Sequence, residues 1–131
     1  MTVLKRDDIL KVSDIKIELV PVPEWGGDVY VKGMTGAERD KFESSIIKGR
    51  GEDAEVNYTN MRSKLASLTI CDETGKRLFT ENDVQALSQK SASALQRVFI
   101  VAQRLSGITK EDTEELVEEI KADPFEGSPS D

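Results

Sequence analysis

Few residues in this 131-residue chain could carry out chemistry. There is no histidine, which removes the usual general base near neutral pH and the commonest metal ligand. The single cysteine, Cys71, has no histidine to activate it and no second cysteine to pair with. We therefore expect Cys71 to be a small apolar residue at the end of a helix, and we expect no disulfide and no zinc site.

Adjacent acidic residues are the next candidates, because paired carboxylates can act as general acid and base. Such a pair must lie in a cleft where the two carboxyl groups have different surroundings and therefore different pKa values. Asp7 with Asp8 and Asp72 with Glu73 fall instead in polar turns or helix ends. These positions are typical of solvated surface.

Asp72 also begins a stretch that resembles a calcium-binding loop. The twelfth position from Asp72 is Asp83 instead of the bidentate glutamate, and Lys76 and Arg77 interrupt the oxygen ligands. The glycines fit neither the dinucleotide pattern nor the P-loop pattern. The sequence thus predicts a protein that is not an enzyme and that has no metal and no cofactor.

Charge is distributed unevenly along the chain. The net charge is −7, and residues 109–131 contain nine acidic and two basic residues, so the preceding 108 residues are neutral overall. Nucleic-acid binding normally depends on clustered Lys and Arg, so we expect no nucleic-acid partner. No apolar run approaches the ~20 residues of a membrane helix, and the N-terminus lacks a signal-peptide core. These features favour a single domain in a reducing cytoplasm.

The first third of the chain predicts a β-hairpin at about residues 15–32. A short helical candidate at residues 5–12 precedes it. Residues 15–22 then alternate with period two, Trp25-Gly26-Gly27-Asp28 supplies turn residues, and residues 28–32 form a second strand. Pro21 and Pro23 indicate a strand end or a sheet edge, because proline cannot donate to the ladder.

The remainder of the chain predicts helices. Thr35 and Glu38 match a capping box that opens a helix at about residues 36–48. Further helices are expected at about 56–70, 81–88, 92–105 and 110–122, and the very apolar 92–105 segment should be the central core helix. The predicted fold is α+β: one mostly helical domain over residues 1–123 with a small N-terminal β-hairpin, followed by a disordered acidic tail at 124–131.

Two groups of residues are candidates for binding a partner. Trp25 lies at the hairpin tip, where it could face a partner as an interface hot spot or fold back over the core. Tyr30 projects from the opposite face of its strand to Val29 and Val31 and joins Trp25 as a candidate.

The predicted last helix supplies the second group. It has a narrow apolar stripe formed by Leu116, Val117 and Ile120. The pattern fits a solvated closing helix or a helix that completes its burial on a partner.

The helix pair 81–88 and 92–105 offers a different function. It could form a helix-turn-helix in which Gln96, Arg97, Gln103 and Arg104 contact DNA, which would make the protein a small DNA-binding regulator. The second helix carries too many bulky apolar residues for a helix that lies in a DNA groove. A core helix beside a short one is the favoured interpretation.

The N-terminal third contains three segments in a characteristic order and spacing: Leu4-Lys5-Arg6-Asp7-Asp8-Ile9-Leu10, the stretch from Val22 to Val31 that contains Pro23-Glu24-Trp25-Gly26-Gly27, and the stretch from Met34 to Glu43. In these segments the chain resembles the tail assembly chaperones of long-tailed bacteriophages and prophages. The resemblance covers about 40 residues.

The resemblance implies a non-enzymatic role in siphovirus tail assembly. Proteins of this family act in the host bacterial cytoplasm and are absent from the finished virion. They keep the long tape measure protein soluble and help recruit tail tube protein subunits. Self-association in multiple copies along each tape measure protein is also implied.

Overall fold

The computed structural model describes residues 2–108 and residue 118, and the fold within this part is α+β, as the sequence predicts. The predicted helix at 110–122, apart from residue 118, and the predicted tail at 124–131 lie outside the described residues. The first elements are α1 (Arg6–Lys11), β1 (Ile17–Val22) and β2 (Gly27–Lys32).

The predicted hairpin is confirmed. β1 and β2 pair antiparallel, with Leu19 opposite Tyr30 and Val20 opposite Val29. A 3-10 turn, Pro23–Trp25, joins the strands, and Gly26 follows it with a positive φ of 75° that glycine adopts at little cost. A third strand, β5 (Ile70–Cys71), pairs antiparallel with β2 and gives the sheet order β1-β2-β5. β5 was not predicted.

The first two long helices are shorter than predicted. α2 spans Gly36–Ile46 and α3 spans Met61–Thr69. Between them a two-stranded sheet pairs β3 (Ile47–Lys48) with β4 (Glu55–Val56). The predicted helix start at 56 was wrong because Asn60 takes a left-handed conformation (φ 58°), which no α-helix continues.

Side-chain caps fix the start of α2 as predicted. The Thr35 hydroxyl accepts from the Glu38 backbone N–H at 3.1 Å, and the Thr35 N–H donates to the Glu38 carboxylate at 2.9 Å. Both interactions satisfy backbone donors that a helix start leaves free.

The second half of the chain contains two more helices. A 3-10 turn, Glu81–Asp83, leads into the short helix α4 (Val84–Leu87), and α5 spans Ala92–Leu105, the predicted bounds. α5 packs on β1 and β2 and buries Ala94, Leu95, Val98 and Ala102. It is the central core helix that its composition predicts.

The core lies between the sheet, α5 and α3. α3 contacts α5, α4 and α2. Six of its nine residues are buried: Ser63, Leu65, Ala66, Ser67, Leu68 and Thr69. Cys71 is also buried, but in β5 and not at a helix end as predicted. This burial raises the pKa of its thiol, which keeps the thiol protonated.

Candidate partner-binding surfaces

Large apolar side chains between Val3 and Leu19 are 36–89% exposed. α1 buries none of its residues. The Asp8 carboxylate accepts from the Lys5 N–H at 3.0 Å, and Asp7 and Asp8 lie at the positive end of the helix dipole. A six-residue helix with such local support alone is marginal in water, so packing against a partner would stabilise it.

These exposed side chains continue from α1 onto β1. Ile9 and Leu10 are 57% and 66% exposed, and Leu19 is 50% exposed. We call the whole set the N-terminal apolar surface: Val3, Leu4, Ile9, Leu10, Val12, Ile15, Ile17 and Leu19. Eight such side chains between Val3 and Leu19 make this segment a candidate interaction site.

The orientation of β1 explains why the face that carries Ile17 and Leu19 stays exposed. Val20 and Val22 are buried toward the core, so the alternate residues Ile17 and Leu19 face outward. Both faces of β1 carry apolar residues, and sequence alternation alone does not tell which face the core covers. Tyr30, opposite Leu19, is half-buried on the same outer face.

β1 also has a free backbone edge within the described chain. The Gly33 N–H donates to the Lys16 carbonyl at 3.0 Å, so by antiparallel alternation the backbone groups of Ile17 and Leu19 point away from β2. Pro21, which lacks an N–H, lies in the same outward-pointing series and is suited to an edge. The N-terminal apolar surface can therefore bind a partner with both side chains and backbone.

Trp25 lies in a second feature, a cleft beside the hairpin turn. The cleft has a volume of about 500 Å³ and is lined by Glu24, Trp25, Phe79, Asp83, Ala86, Leu87 and Lys90. The Trp25 side chain packs against the core, so it covers the core and also forms one wall of the cleft. Its buried Nε1 has no acceptor within residues 2–108.

The turn that carries Trp25 is fastened to α5. Glu24 accepts from the Ser93 hydroxyl at 2.6 Å and from Arg97 Nε at 2.9 and 3.1 Å. The Ser93 hydrogen bond, the Glu24 backbone N–H and Arg97, in that order, lower the pKa of Glu24 to about 2. The hairpin tip is thus held against the body.

We expect Glu24→Gln to lower the melting temperature in a pH-dependent way. The folded-state pKa of about 2 lies below the ordinary value of 4.5, so the carboxylate contributes stability above pH 4.5 that is lost as the pH falls toward 2. Thermal melts from pH 7 to pH 2 should show a wild-type advantage that shrinks across that interval. Glu52→Gln is the control, since Glu52 is exposed with no side-chain partner in the described structure. A difference in melting temperature between wild type and Glu24→Gln that does not change with pH would contradict this role of the Glu24 carboxylate.

A third feature is a groove between α2, α3 and α4. Its volume is about 250 Å³, and it is lined by Lys41, Phe42, Ser45, Lys64, Ser67, Leu68, Glu81 and Val84. Lys41 Nζ donates to Glu81 at 2.8 Å, and Arg77 lies 3.5 Å from the same carboxylate. The Lys41 hydrogen bond, the Glu81 backbone N–H and, more weakly, Arg77 lower the pKa of Glu81 to about 2.

The side chains proposed to contact DNA are largely engaged within the protein. Arg97 is paired with Glu24, and Arg104 Nη2 contacts Glu18 at 2.6 Å. Gln96 accepts from Arg62. Because α5 also buries its apolar face in the core, the structure favours the core-helix interpretation of residues 92–105 over a recognition helix.

The structure places the predicted site residues in separate locations. Trp25 lines the cleft and Tyr30 lies on the outer face of the sheet, whereas Leu116, Val117 and Ile120 fall outside the described residues. In the part that the structure describes, no group of three or more acidic or cysteine side chains could hold a metal ion. No described helix is long and apolar enough to cross a membrane.

Comparison with models of known protein families assigns the chain to a family. A family model described as phage tail assembly chaperone matches residues 7–118. The chain belongs to the phage tail assembly chaperone family. The family model matches this tail assembly chaperone well beyond the N-terminal third, on which the sequence resemblance rests. No match was found among curated proteins or among solved structures.

Proposed function

We propose that this tail assembly chaperone binds the tape measure protein through its N-terminal apolar surface, keeps it soluble and helps bring tail tube subunits to it. The observation that carries the proposal is the row of eight large apolar side chains that stay exposed between Val3 and Leu19. Family membership supports an assembly role, and the resemblance implies the two partners.

The N-terminal apolar surface is chemically complementary to a tape measure protein. A tape measure protein is a long, largely helical chain that exposes apolar stripes until the tail tube covers it. Burial of apolar surface yields about 25 cal/mol per Å², and full burial of one large aliphatic side chain yields about 1.5–3 kcal/mol. Several side chains of the N-terminal apolar surface buried together are enough for a specific complex, even after the cost of association.

Other parts of the chain have supporting roles in this proposal. Tyr30 extends the N-terminal apolar surface across the sheet, and Trp25 offers a second contact at the cleft. Leu116, Val117 and Ile120 remain predicted contact residues. The protein acts in the host bacterial cytoplasm in several self-associating copies per tape measure protein, and it leaves before the virion is complete.

Co-expression tests this function. We expect the tape measure protein to move from the pellet to the supernatant when this chaperone is co-expressed, and to co-purify with it. Added tail tube protein should join the same complex. The control is an unrelated acidic protein of similar size. If the tape measure protein stays insoluble beside a soluble chaperone, the proposed function is wrong.

A further inference from the structure

β1 is the outer strand of its sheet and presents backbone groups on its free side. The sheet order is β1-β2-β5, so within the described residues β1 pairs only with β2. The N–H and C=O groups of Ile17 and Leu19 point outward. Ile15 continues this outward series, because the carbonyl of the next residue, Lys16, still bonds to β2. Pro21 ends the series with a carbonyl and no N–H. The free edge can therefore bond to a further extended strand.

We propose that β1 of a second copy of this chain adds to this edge, antiparallel and centred on Ile17, to form a two-fold symmetric dimer. Ile17 of one copy lies opposite Ile17 of the other, and Ile15 lies opposite Leu19. Each of these opposed pairs exchanges two backbone hydrogen bonds. The dimer gives the self-association of the proposed function a defined surface, and it forms without the tape measure protein.

The charges of β1 match in this register. Lys16 of one copy lies opposite Glu18 of the other, and the two-fold axis repeats this pair of unlike charges. These residues form the non-hydrogen-bonded pairs of the ladder, in which opposite side chains come closest. Lys16 is exposed, and Glu18 uses Oε2 for Arg104 at 2.6 Å. Because a carboxylate accepts several hydrogen bonds, Glu18 can bind Arg104 of its own chain and Lys16 of the second copy together.

Neighbouring registers lack this match. A dimer centred one residue earlier places Lys16 opposite Lys16, and a dimer centred one residue later places Glu18 opposite Glu18. Like charges directly opposite each other destabilise a strand pair. A dimer centred on Leu19 sets Ile17 opposite Pro21, which has no N–H to donate. Among these registers, the one centred on Ile17 alone pairs unlike charges and keeps a donor at every bonded position.

α5 gives an independent observation. Ile100 is 54% exposed, although it lies in the central core helix. At 3.6 residues per turn, Ile100 falls on the same side of α5 as Arg97 and Arg104. These two arginines bind Glu24 and Glu18 of the hairpin. The exposed isoleucine therefore lies on the side of α5 that faces β1 and its free edge.

Pairing of the two β1 strands gives Ile100 a partner. α5 packs on both β1 and β2, so the dimer sets the two α5 helices side by side on one face of the joined sheet. Two strand spacings of about 4.8 Å place the helices about 10 Å apart. Packed helices lie about 8–10 Å apart, so Ile100 of one copy can pack against α5 of the other. The interface thus combines backbone pairing, ion pairs and an apolar contact.

The dimer also joins the outer faces of the two sheets. Ile17 and Leu19 point away from the core, so their side chains stay on the outer face while their backbone groups bond to the second copy. The N-terminal apolar surfaces of both copies then form one continuous face, which suits a long helical partner better than either surface alone.

Sedimentation equilibrium of the full chain, with no other protein present, tests the dimer and its register. We expect wild type to form dimers as its concentration rises from about 10 μM to 1 mM. Lys16→Glu and Glu18→Lys each set like charges opposite each other, so either variant alone should dimerise at least about tenfold more weakly. An equimolar mixture of the two variants restores both unlike pairs and should form the heterodimer with about the wild-type affinity.

Lys48→Glu and Glu52→Lys are the matched controls. They make the same charge changes at exposed positions outside β1. Both controls should dimerise like wild type, alone and when mixed.

Amide hydrogen exchange of wild type provides a second readout that requires no variant. The N–H groups of Ile17 and Leu19 should become protected as the chain concentration rises, because they bond only to the second copy. The N–H of Glu18 bonds to β2 and should keep the same protection at every concentration.

The opposite outcomes overturn the proposal. A chain that stays monomeric at about 1 mM does not pair its β1 edges. A dimer that Lys16→Glu and Glu18→Lys leave intact uses another surface. A mixture of these variants that dimerises no better than either alone excludes the register centred on Ile17. Because no tape measure protein is present, each of these outcomes is distinct from failure of the chaperone function.

Discussion

Leu65→Ala should lower the free energy of unfolding by about 2–5 kcal/mol, the range for leucine truncation in a closed core. Leu65 is 0% exposed and lies in α3, which packs against α5, α4 and α2. Because these elements enclose the side chain from several directions, they cannot all move in to fill the cavity. Urea titration at neutral pH measures the loss.

Leu78→Ala is the matched control for this cavity. Leu78 is 55% exposed, so the same truncation should change stability by about 0.5 kcal/mol or less. Equal losses for the two variants would show that α3 is not the tightly packed centre of the domain.

Gly33→Ala should be comparably damaging for a different reason. A Cβ at residue 33 would lie 2.6 Å from the backbone carbonyl oxygen of Leu105, at the end of α5. The backbone on either side is fixed, since the Gly33 N–H donates to Lys16 at 3.0 Å and the Met34 N–H to the Ser106 hydroxyl at 2.9 Å. Overpacking at such a site costs about 1–3 kcal/mol or more.

Gly36→Ala, three residues further along the chain, should not destabilise the protein as Gly33→Ala does. A Cβ at Gly36 meets nothing within 4 Å, and the residue opens α2. Alanine has the higher helix propensity, so Gly36→Ala should leave stability unchanged or raise it by up to about 1 kcal/mol. Urea midpoints of the two variants on opposite sides of wild type would confirm the close approach of β2 and α5. Similar midpoints would exclude it.

The elements that the sequence predicted well have local signals. The hairpin has alternation and turn residues, α2 has the Thr35–Glu38 capping box, and α5 has a continuous apolar pattern. β3, β4 and β5 were missed because each has two residues, too few for a periodic signal. Their strand conformation depends on partners that only the tertiary fold supplies.

The candidate binding surface was harder to predict. Trp25 was identified from residue type, but its packing on the core depends on the contacts of Glu24 with Ser93 and Arg97, about 70 residues away in sequence. The N-terminal apolar surface was missed because isoleucines and leucines in an alternating strand are usually taken to face the core. In β1 the valines of the other face occupy the core.

The most direct test of the central claim compares two aspartate variants of the chaperone for their ability to keep the co-expressed tape measure protein soluble. Ile9→Asp/Leu10→Asp places two charges in the N-terminal apolar surface, and Leu78→Asp places one at an equally exposed site outside it. Melting temperatures should stay close to wild type, because these side chains are not part of the buried core.

We predict that the tape measure protein is lost to the pellet with Ile9→Asp/Leu10→Asp and stays soluble with Leu78→Asp. Full solubilisation by a folded Ile9→Asp/Leu10→Asp variant would contradict the claim that the N-terminal apolar surface binds the tape measure protein.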